Sequence, residues 1–379
     1  MIPFNKPFLT GKETSYIQEA VASGKISGNG LFTKKCQEFF REKYGFKKCL
    51  LTTSCTDALE MAALLLNIQP GDEVIMPSYT FVSTANAFIL RGAQIVFADS
   101  MAQHPNMDVQ KIEALITERT RAIVPVHYAG MACDMDSIMS LAKKYNLFVV
   151  EDAAQAINSF YTGSDGITRA LGSIGHLAAF SFHETKNIIS GEAGMLVVND
   201  DRFVQRSEII WEKGTNRSAF FRGEIDKYGW VDVGSSFLPS EIVAAFLYAQ
   251  LEHLDEIQNK RIQLWNLYYA LLEPLAQKGI IQVPQVPQYA SNNAHIFYII
   301  FPNDKERDAC ISHLKKQDIL SVFHYLSLHK SPYYSNKHKG GNLSEADRYS
   351  ETLLRLPMYF ELEEADVRRI CKLVNDLYT

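Results

Sequence analysis

Cysteine is sparse and scattered in this 379-residue chain: Cys36, Cys49, Cys55, Cys133, Cys310 and Cys371 form no CxxC pair. That excludes a zinc ribbon or a disulfide framework and leads to the expectation of a reduced, cytoplasmic setting. Basic residues are not in excess. Lys and Arg number 38 against 43 Asp and Glu, a formal charge of −5, so nothing points to nucleic acid or an anionic membrane. No apolar run is long enough for a membrane span; the uncharged stretch Val74–Leu90 is interrupted by Pro77, Ser78, Thr80, Ser83, Thr84 and Asn86. The opening residues Met1–Lys6 lack the charged-then-apolar layout of a signal peptide. Also missing are a Walker A loop, a Gly-x-Ser-x-Gly elbow and a zincin motif, since His183-Glu184 is followed at position 187 by Asn. Gly28-Asn29-Gly30 starts like a dinucleotide fingerprint but has neither the third glycine nor a preceding strand. His324 and His329 make a poor metal pair without a neighbouring cysteine or carboxylate, and no metal is expected.

What the chain does have is a globular composition, 47% apolar and 21% charged, and length enough for two cores. From about residue 50, apolar runs alternate with helix-period segments. The strand candidates are Cys49–Thr53, Glu73–Met76, Ile95–Ala98, Ala122–His127, Leu147–Glu151, Leu177–His183 and Met195–Asn199. Between them, Val109, Ile112, Leu115 and Ile116 keep a helical spacing, and Asp134 caps a helix running to about Tyr145. Apolar strands separated by helices imply an α/β fold with a mostly parallel sheet, and ligands of such sheets bind at the carboxyl ends of the strands. After Pro239 the spacing predicts a long helical stretch from Ser240 to Gln277, broken near Leu254. A strand (His295–Phe301), a helix (Lys305–Gln317), a strand (Ile319–Tyr325) and a closing helix (Glu363–Tyr378) follow. The expected division is a large domain over 1–250 and a smaller α/β domain over 251–379. Ser331–Asp347, rich in Lys, Gly and Asn, reads as a surface loop.

Three segments carry candidate chemistry. In Leu51-Thr-Thr-Ser54-Cys55-Thr56-Asp57, a strand runs through small hydroxyl residues straight into a helix. The unpaired N–H groups of a first helical turn attract an anion, so this is either a phosphate seat or an ordinary Ser/Thr cap. Glu151 and Asp152 end a buried strand, where a carboxylate either holds a ring nitrogen or caps the next turn. Lys186 follows the strand end Phe180-Ser181-Phe182-His183, either as a solvated charge or as a Schiff-base amine. Anion seat, aspartate and lysine together are the parts that pyridoxal phosphate requires, with Tyr79 and Phe81 offering an aromatic face.

Read together, four segments resemble the sugar-nucleotide aminotransferases of fold type I. They are Pro77-Ser-Tyr-Thr-Phe81-Val-Ser-Thr, Glu151-Asp152-Ala-Ala-Gln155, Ser181-Phe-His183-x-x-Lys186-Asn187 and Tyr325-x-x-x-His329. The resemblance runs in order along essentially the whole chain and implies a large domain with a mostly parallel sheet plus a smaller C-terminal α/β domain. It also implies pyridoxal 5'-phosphate held by Lys186 as a Schiff base. Asp152 would meet the ring nitrogen, Gln155 the ring hydroxyl and Phe81 the ring face, while Cys55, Thr56 and Ser181 would hold the phosphate. His183 and His329 would line the sugar side. Lys213-Gly-Thr-Asn216-Arg217, continuing through Phe221-Arg222 to Tyr228, resembles the branch that makes dTDP-4-amino-4,6-dideoxygalactose for enterobacterial common antigen or O-antigen. That branch implies L-glutamate as donor and a dTDP-linked ketosugar as acceptor, with Lys213, Arg217, Arg222 and Lys227 as candidate partners of the diphosphate. A solvated loop face is the other reading of those four. The resemblance further implies a homodimer with active sites at the interface. Many members carry an asparagine that reaches the neighbouring phosphate; here the segment is Gly234-Ser235-Ser236-Phe237-Leu238, so either Ser236 would have to serve or that contact is absent. Tyr161–Thr168 is longer than the family's usual turn. Dehydratases of similar sequence replace the lysine by histidine, and a non-catalytic relative would have no reason to keep Asp152, Gln155 and Lys186 together.

Overall fold

Strand residues in this chain alternate between two buried faces. Leu50, Val150, Leu177, Ala179, Leu196 and Val198 pack into one core, whereas Cys49, Leu51, Val149, Ala178, Met195 and Val197 pack into another. Only a sheet covered on both sides by helices satisfies that pattern. The computed structural model describes residues 1–378, and its central element is such a sheet. Its strands are β1 (Lys48–Thr52), β2 (Glu73–Pro77), β3 (Gln94–Ala98), β4 (Thr120–Ile123), β5 (Phe148–Asp152), β8 (Leu177–Ser181) and β9 (Gly194–Val198). Between β5 and β8, a two-stranded ribbon forms from β6 (Phe160–Thr162) and β7 (Thr168–Ala170). The lengthened turn Tyr161–Thr168 is therefore a hairpin.

The seven-stranded order is β1-β9-β8-β5-β4-β2-β3. Neighbours from β8 to β3 are parallel, and β9 alone runs against both its neighbours. The helix Cys55–Leu65 covers one face, with Ala58, Leu59 and Ala62 in the first core. Helices Leu31–Tyr44, Met135–Tyr145 and Glu241–Leu251 cover the other through Phe32, Phe40, Ile138 and Ala244. Asp134 caps its helix as the spacing predicts, accepting a hydrogen bond from the Ser137 N–H. The strand expected over Ala122–His127 forms β4 only to Ile123, with an isolated bridge from Val126 to Asp152, and the one expected over Leu177–His183 ends at Ser181, which lines the site.

The C-terminal part is a three-stranded antiparallel sheet of β10 (Phe297–Ile300), β11 (Val322–Phe323) and β12 (Leu353–Leu356), ordered β10-β12-β11. The helical stretch after Ser240 breaks where expected, between Leu251 and Leu254. In the closing helix, Glu364–Asn375, Val367, Ile370 and Val374 are buried as its spacing implies.

Three expectations are corrected. The Val109–Ile116 segment is two short 3-10 turns, Val109–Lys111 and Glu113–Leu115, joined at Ile112; Asp108 caps the first, and the second has no side-chain cap. The strand expected over Ile319–Tyr325 pairs with β12 only at Val322–Phe323, with Ile319 bridging to Ile2 and Tyr325 lining the site. Ser331–Asp347 is not simply a surface loop. Tyr334 is buried and its hydroxyl both accepts from the Ile95 N–H (2.7 Å) and donates to the Ile95 carbonyl (3.1 Å), pinning the segment to β3. No helix among the described residues is long and apolar enough to cross a membrane.

Candidate active site

The carboxyl ends of β5 and β8 and the start of the helix Cys55–Leu65 open onto one cavity of about 450 Å³. Strand alternation decides which acid enters it. Glu151 points the other way, is fully buried, and accepts from the N–H groups of Gly172 (2.8 Å), Ile174 (2.8 Å) and Gly175 (2.6 Å) while pairing with His127 (2.9 Å). Burial alone would raise its pKa, but His127 and these N–H groups outweigh burial and hold the carboxylate charged. Glu151 thus clamps a loop, and Asp152 faces the cavity.

Asp152 accepts from the Thr84 hydroxyl (2.7 Å) and from the Ala154 N–H (3.2 Å), and Thr80 hydrogen-bonds Thr84 in turn (2.9 Å). Burial pushes its pKa up against the opposing pull of Thr84, Ala154 and Lys186. Lys186 lines the same cavity, and burial pushes its pKa down, with Arg355 adding to the effect. A lysine so placed offers a neutral amine more readily than a solvated one, which is what an aldehyde needs.

At the opposite wall, Ser54 caps the helix by accepting from the Asp57 N–H (3.0 Å). The N–H groups of Cys55 and Thr56 precede any intrahelical acceptor and face the cavity with the Thr56 and Ser83 hydroxyls, themselves 2.8 Å apart. Gly194 of β9 makes this approach possible: a Cβ there would lie 2.3 Å from the Ser54 carbonyl carbon. Burial raises the Cys55 thiol well above its usual pKa, so that position contributes its backbone N–H rather than a thiolate. Donors, a held carboxylate and a buried amine around one space fit pyridoxal phosphate, which Cys55, Thr56 and Ser181 would meet at the phosphate, Asp152 at the ring nitrogen and Lys186 at the aldehyde.

The other expected residues divide. Ser181, His183 and Gln155 line the cavity, and so does Phe81, 55% exposed at its mouth with its ring centroid 6.0 Å from that of Tyr325. Gln155 accepts from the Ala129 N–H (2.7 Å) and donates to the Tyr325 hydroxyl (3.2 Å). His329 does not line it. Its N–H donates to the Ser78 hydroxyl (3.2 Å), which hydrogen-bonds its Nδ1 (2.7 Å), and its Nε2 lies 3.5 Å from Asp347. Arg217 and Ser236 are exposed and outside the cavity, Arg217 lying over the Phe221 ring. Arg222 is engaged by Glu208 (2.9 Å) and Glu224 (2.7 Å), which removes it from the cations free to meet a diphosphate.

Sequence reasoning gave no place in the site to the wall contributed by the C-terminal part: His295, His324, Arg355 and Tyr325, the last noted only within the Tyr325-x-x-x-His329 segment. His295 donates from Nδ1 to the Asn187 side chain (2.9 Å), and His324 Nδ1 meets the Tyr128 hydroxyl (3.1 Å). Burial drives both imidazoles well below their usual pKa, so they enter the site neutral. The signal that existed was polar residues at strand ends, too common to single these out.

Fold and site together define a pyridoxal-phosphate-dependent aminotransferase. Residues 7–375 match the DegT/DnrJ/EryC1/StrS aminotransferase family, and the chain belongs to that family. It is 32% identical over 385 residues to GDP-perosamine synthase of Escherichia coli O157:H7, covering 100% of this chain and 99% of that one. To GDP-perosamine synthase of Caulobacter vibrioides it is 34% identical over 371 residues, covering 96% and 95%. Among solved structures, S. venezuelae DesV superposes with a TM-score of 0.89 at 30% identity over 99% and 98% of the two chains. Aminotransferase TlmJ of Streptoalloteichus hindustanus gives 0.90 at 27% over the whole of both. The chain is thus a sugar aminotransferase of this family. These two synthases are named for a GDP-linked product, so membership by itself does not carry the dTDP base that the resemblance implied.

Proposed function

We propose that the protein transfers the amine of L-glutamate to C4 of dTDP-4-keto-6-deoxy-D-glucose, giving dTDP-4-amino-4,6-dideoxy-D-galactose. The observation that carries the aminotransferase part is the meeting of Lys186, Asp152 and the Ser54–Thr56 helix start in one cavity. The dTDP sugar and the C4 position rest on the likeness of Lys213–Tyr228 to one branch of the family. Pyridoxal phosphate, when bound, supplies an aldehyde for the donor's amine and a ring that accepts the electron pair released at its Cα. Lys186 Nζ takes the proton from the donor's Cα and returns one to C4 of the sugar. Asp152, charged and held by Thr84 and Ala154, keeps the ring nitrogen protonated. Phe81 closes one ring face, Gln155 meets the ring hydroxyl, and His183 lies on the sugar side. In this reading residues 1–250 bind the cofactor and 251–379 form the small domain. Two copies pair, with Ser236 and Arg217 serving at the neighbouring site; the exposure of Phe221, Tyr228 and Trp230 beside them supports a buried role in a dimer.

A GDP-linked 4-keto-6-deoxy sugar is the second reading, favoured by the two perosamine synthases among the relatives. The gluco epimer and amination at C3 are the remaining alternatives. The test is the visible spectrum of cofactor-loaded protein with L-glutamate, followed by kcat/KM for dTDP- and GDP-linked ketosugars and NMR of the product. Glutamate should shift the spectrum in wild type, and Lys186→Ala should abolish turnover, by at least about 1,000-fold. An unchanged Lys186→Ala rate refutes the assignment, and preference for the GDP sugar refutes the dTDP part alone.

A further inference from the structure

Two histidines face the cavity from the C-terminal part, and the structure fixes the ring proton of one of them. The Asn293 backbone carbonyl is an acceptor only, so the Asn187 atom 2.9 Å from it is the amide nitrogen. That nitrogen also donates to the Gln258 side chain (2.7 Å), whose own amide nitrogen donates to the same carbonyl (3.3 Å). Asn187 therefore turns its side-chain oxygen to His295, and His295 Nδ1, 2.9 Å away, carries the proton. Nε2 is left as a lone pair with no protein partner, open to the cavity. The backbone around it is fixed as well. Arg261 donates to the carbonyls of Ala294 (3.1 Å) and His295 (2.5 Å), and the His295 N–H donates to the Asn293 side chain (3.0 Å). Ala294 is held at φ 51°, a left-handed conformation that alanine keeps only where its surroundings impose it. His324 has no such lock, because the Tyr128 hydroxyl that meets its Nδ1 can donate or accept.

Lys186, next to Asn187 in the chain, has the complementary need. Among the described residues its Nζ makes no ion pair and no hydrogen bond. Once it has taken the donor's Cα proton it is an ammonium in a buried cavity, with three N–H groups that require acceptors. Several acceptors nearby are in use: Asp152 by Thr84 and Ala154, Gln155 by the Ala129 N–H, and Ser54 by the Asp57 N–H. We infer that His295 Nε2 accepts a hydrogen bond from the Lys186 ammonium and holds that group in place until the proton is returned, an inference that rests on the aminotransferase reading above. No proton passes to His295. Lys186 Nζ gains the Cα proton, shares one N–H with Nε2, and gives a proton back in the following step. Among charged groups, Lys186 is the strongest influence on His295, ahead of Arg355 and Arg261. The titratable groups that act on Lys186 are Cys55, Arg355 and Asp152. Burial and the surrounding cations keep the imidazole neutral, so its lone pair is present whenever the ammonium forms. His295 is thus a positioning residue, acting through Lys186.

The test begins with cofactor-free protein. Nitrogen-15 NMR of the histidine-labelled chain should show the His295 ring, identified by its loss in a variant, with Nδ1 protonated and Nε2 bare at neutral pH. His295→Asn keeps a donor for Asn187 and removes the acceptor, whereas His295→Gln places an amide near the Nε2 position. In stopped-flow mixing with pyridoxal phosphate, the rate of Schiff-base formation follows the neutral fraction of Lys186. Its pH midpoint should fall in His295→Asn, because the charged amine loses an acceptor, and return toward wild type in His295→Gln. In loaded protein, His295→Asn should slow both half-reactions by about tenfold while the half-saturating glutamate and ketosugar concentrations stay within about twofold. His295→Gln should recover to within about threefold of wild type. A proton on Nε2 overturns the inference. So does an unmoved midpoint in His295→Asn, and so does a loss confined to ketosugar binding, which would make His295 a sugar contact. Should His295→Asn not fold, Asn187→Leu, which frees the ring proton to move to Nε2, should lower the midpoint likewise, and an unmoved midpoint there is equally adverse. The expected ring proton and midpoint shift, with no response of wild type to glutamate, would overturn the aminotransferase reading and leave the pairing of His295 with Lys186 standing.

Discussion

Lys186 and Asp152 work through opposed displacements from ordinary behaviour, and each displacement has a measurable consequence. Burial lowers the Lys186 pKa, so the folded state disfavours a proton that the unfolded chain keeps up to about pH 10.4. The resulting destabilisation is full below the folded pKa and fades as pH rises toward the unfolded value. Cofactor-free Lys186→Met should therefore melt a few degrees above wild type at pH 7, with the gap closing in alkaline buffer, by calorimetry at several pH values. Asp152 needs the reverse, a charge maintained against burial, and the Thr84 hydroxyl gives the largest opposing contribution. Asp152→Asn should lower kcat by about 100-fold or more, and Thr84→Val by about tenfold, with glutamate KM little changed in steady-state kinetics.

At the scale of elements, the site depends on how helix ends are satisfied. The helix Leu31–Tyr44 starts at Gly30 with no side-chain cap of its own. The missing acceptor is Glu241, fully buried at the first turn of another helix, which accepts from the N–H groups of Gly30 (2.9 Å), Phe32 (2.7 Å) and Thr33 (3.2 Å) and from the Thr33 hydroxyl. Gly30 is glycine because a Cβ would lie 2.5 Å from the Glu241 carboxyl carbon. The paired glycines at 28 and 30 are thus packing devices. Glu241→Ala should destabilise by roughly 3 kcal/mol in urea unfolding, since it leaves buried N–H groups without an acceptor. Gly194→Ala should weaken cofactor retention, measured as the Kd of pyridoxal phosphate, by forcing β9 away from the Ser54–Cys55 backbone.

For the molecule as a whole, acid is the expected weakness. Burial pushes His104 down to about 4, so the folded state stays neutral while the unfolded chain takes a proton near pH 6.5. Stability is lost as pH falls from about 6.5 toward 4, by about 3 kcal/mol for this residue. His295 and His324 add in the same direction. His104→Asn should flatten part of that slope in melting curves between pH 7 and 5. The same burial that makes these imidazoles acid-sensitive keeps the two in the cavity neutral at the operating pH. Light scattering of the intact protein checks the proposed dimer, with a mass of twice 42.8 kDa expected.

Much of this was legible in the sequence because it is written in local pattern. Apolar runs alternating with helical spacing determined the buried parallel sheet, Asp134 and Ser240 marked helix starts, and Asp152, Lys186 and the Ser54–Thr56 turn stood at strand ends where such folds bind ligands. What only the tertiary structure decided depends on residues far apart in the chain. Glu151 and Asp152 are adjacent in sequence, yet the orientation of β5 sends one to a loop clamp and the other to the cavity. His329 is turned into a hydrogen bond with Ser78, 251 positions earlier. Arg355 reads as one more charged residue in an apolar run until the small sheet packs against the cavity and leaves it without an acid. Periodicity records which face of an element is buried, whereas the partner across that face is determined by packing between distant segments.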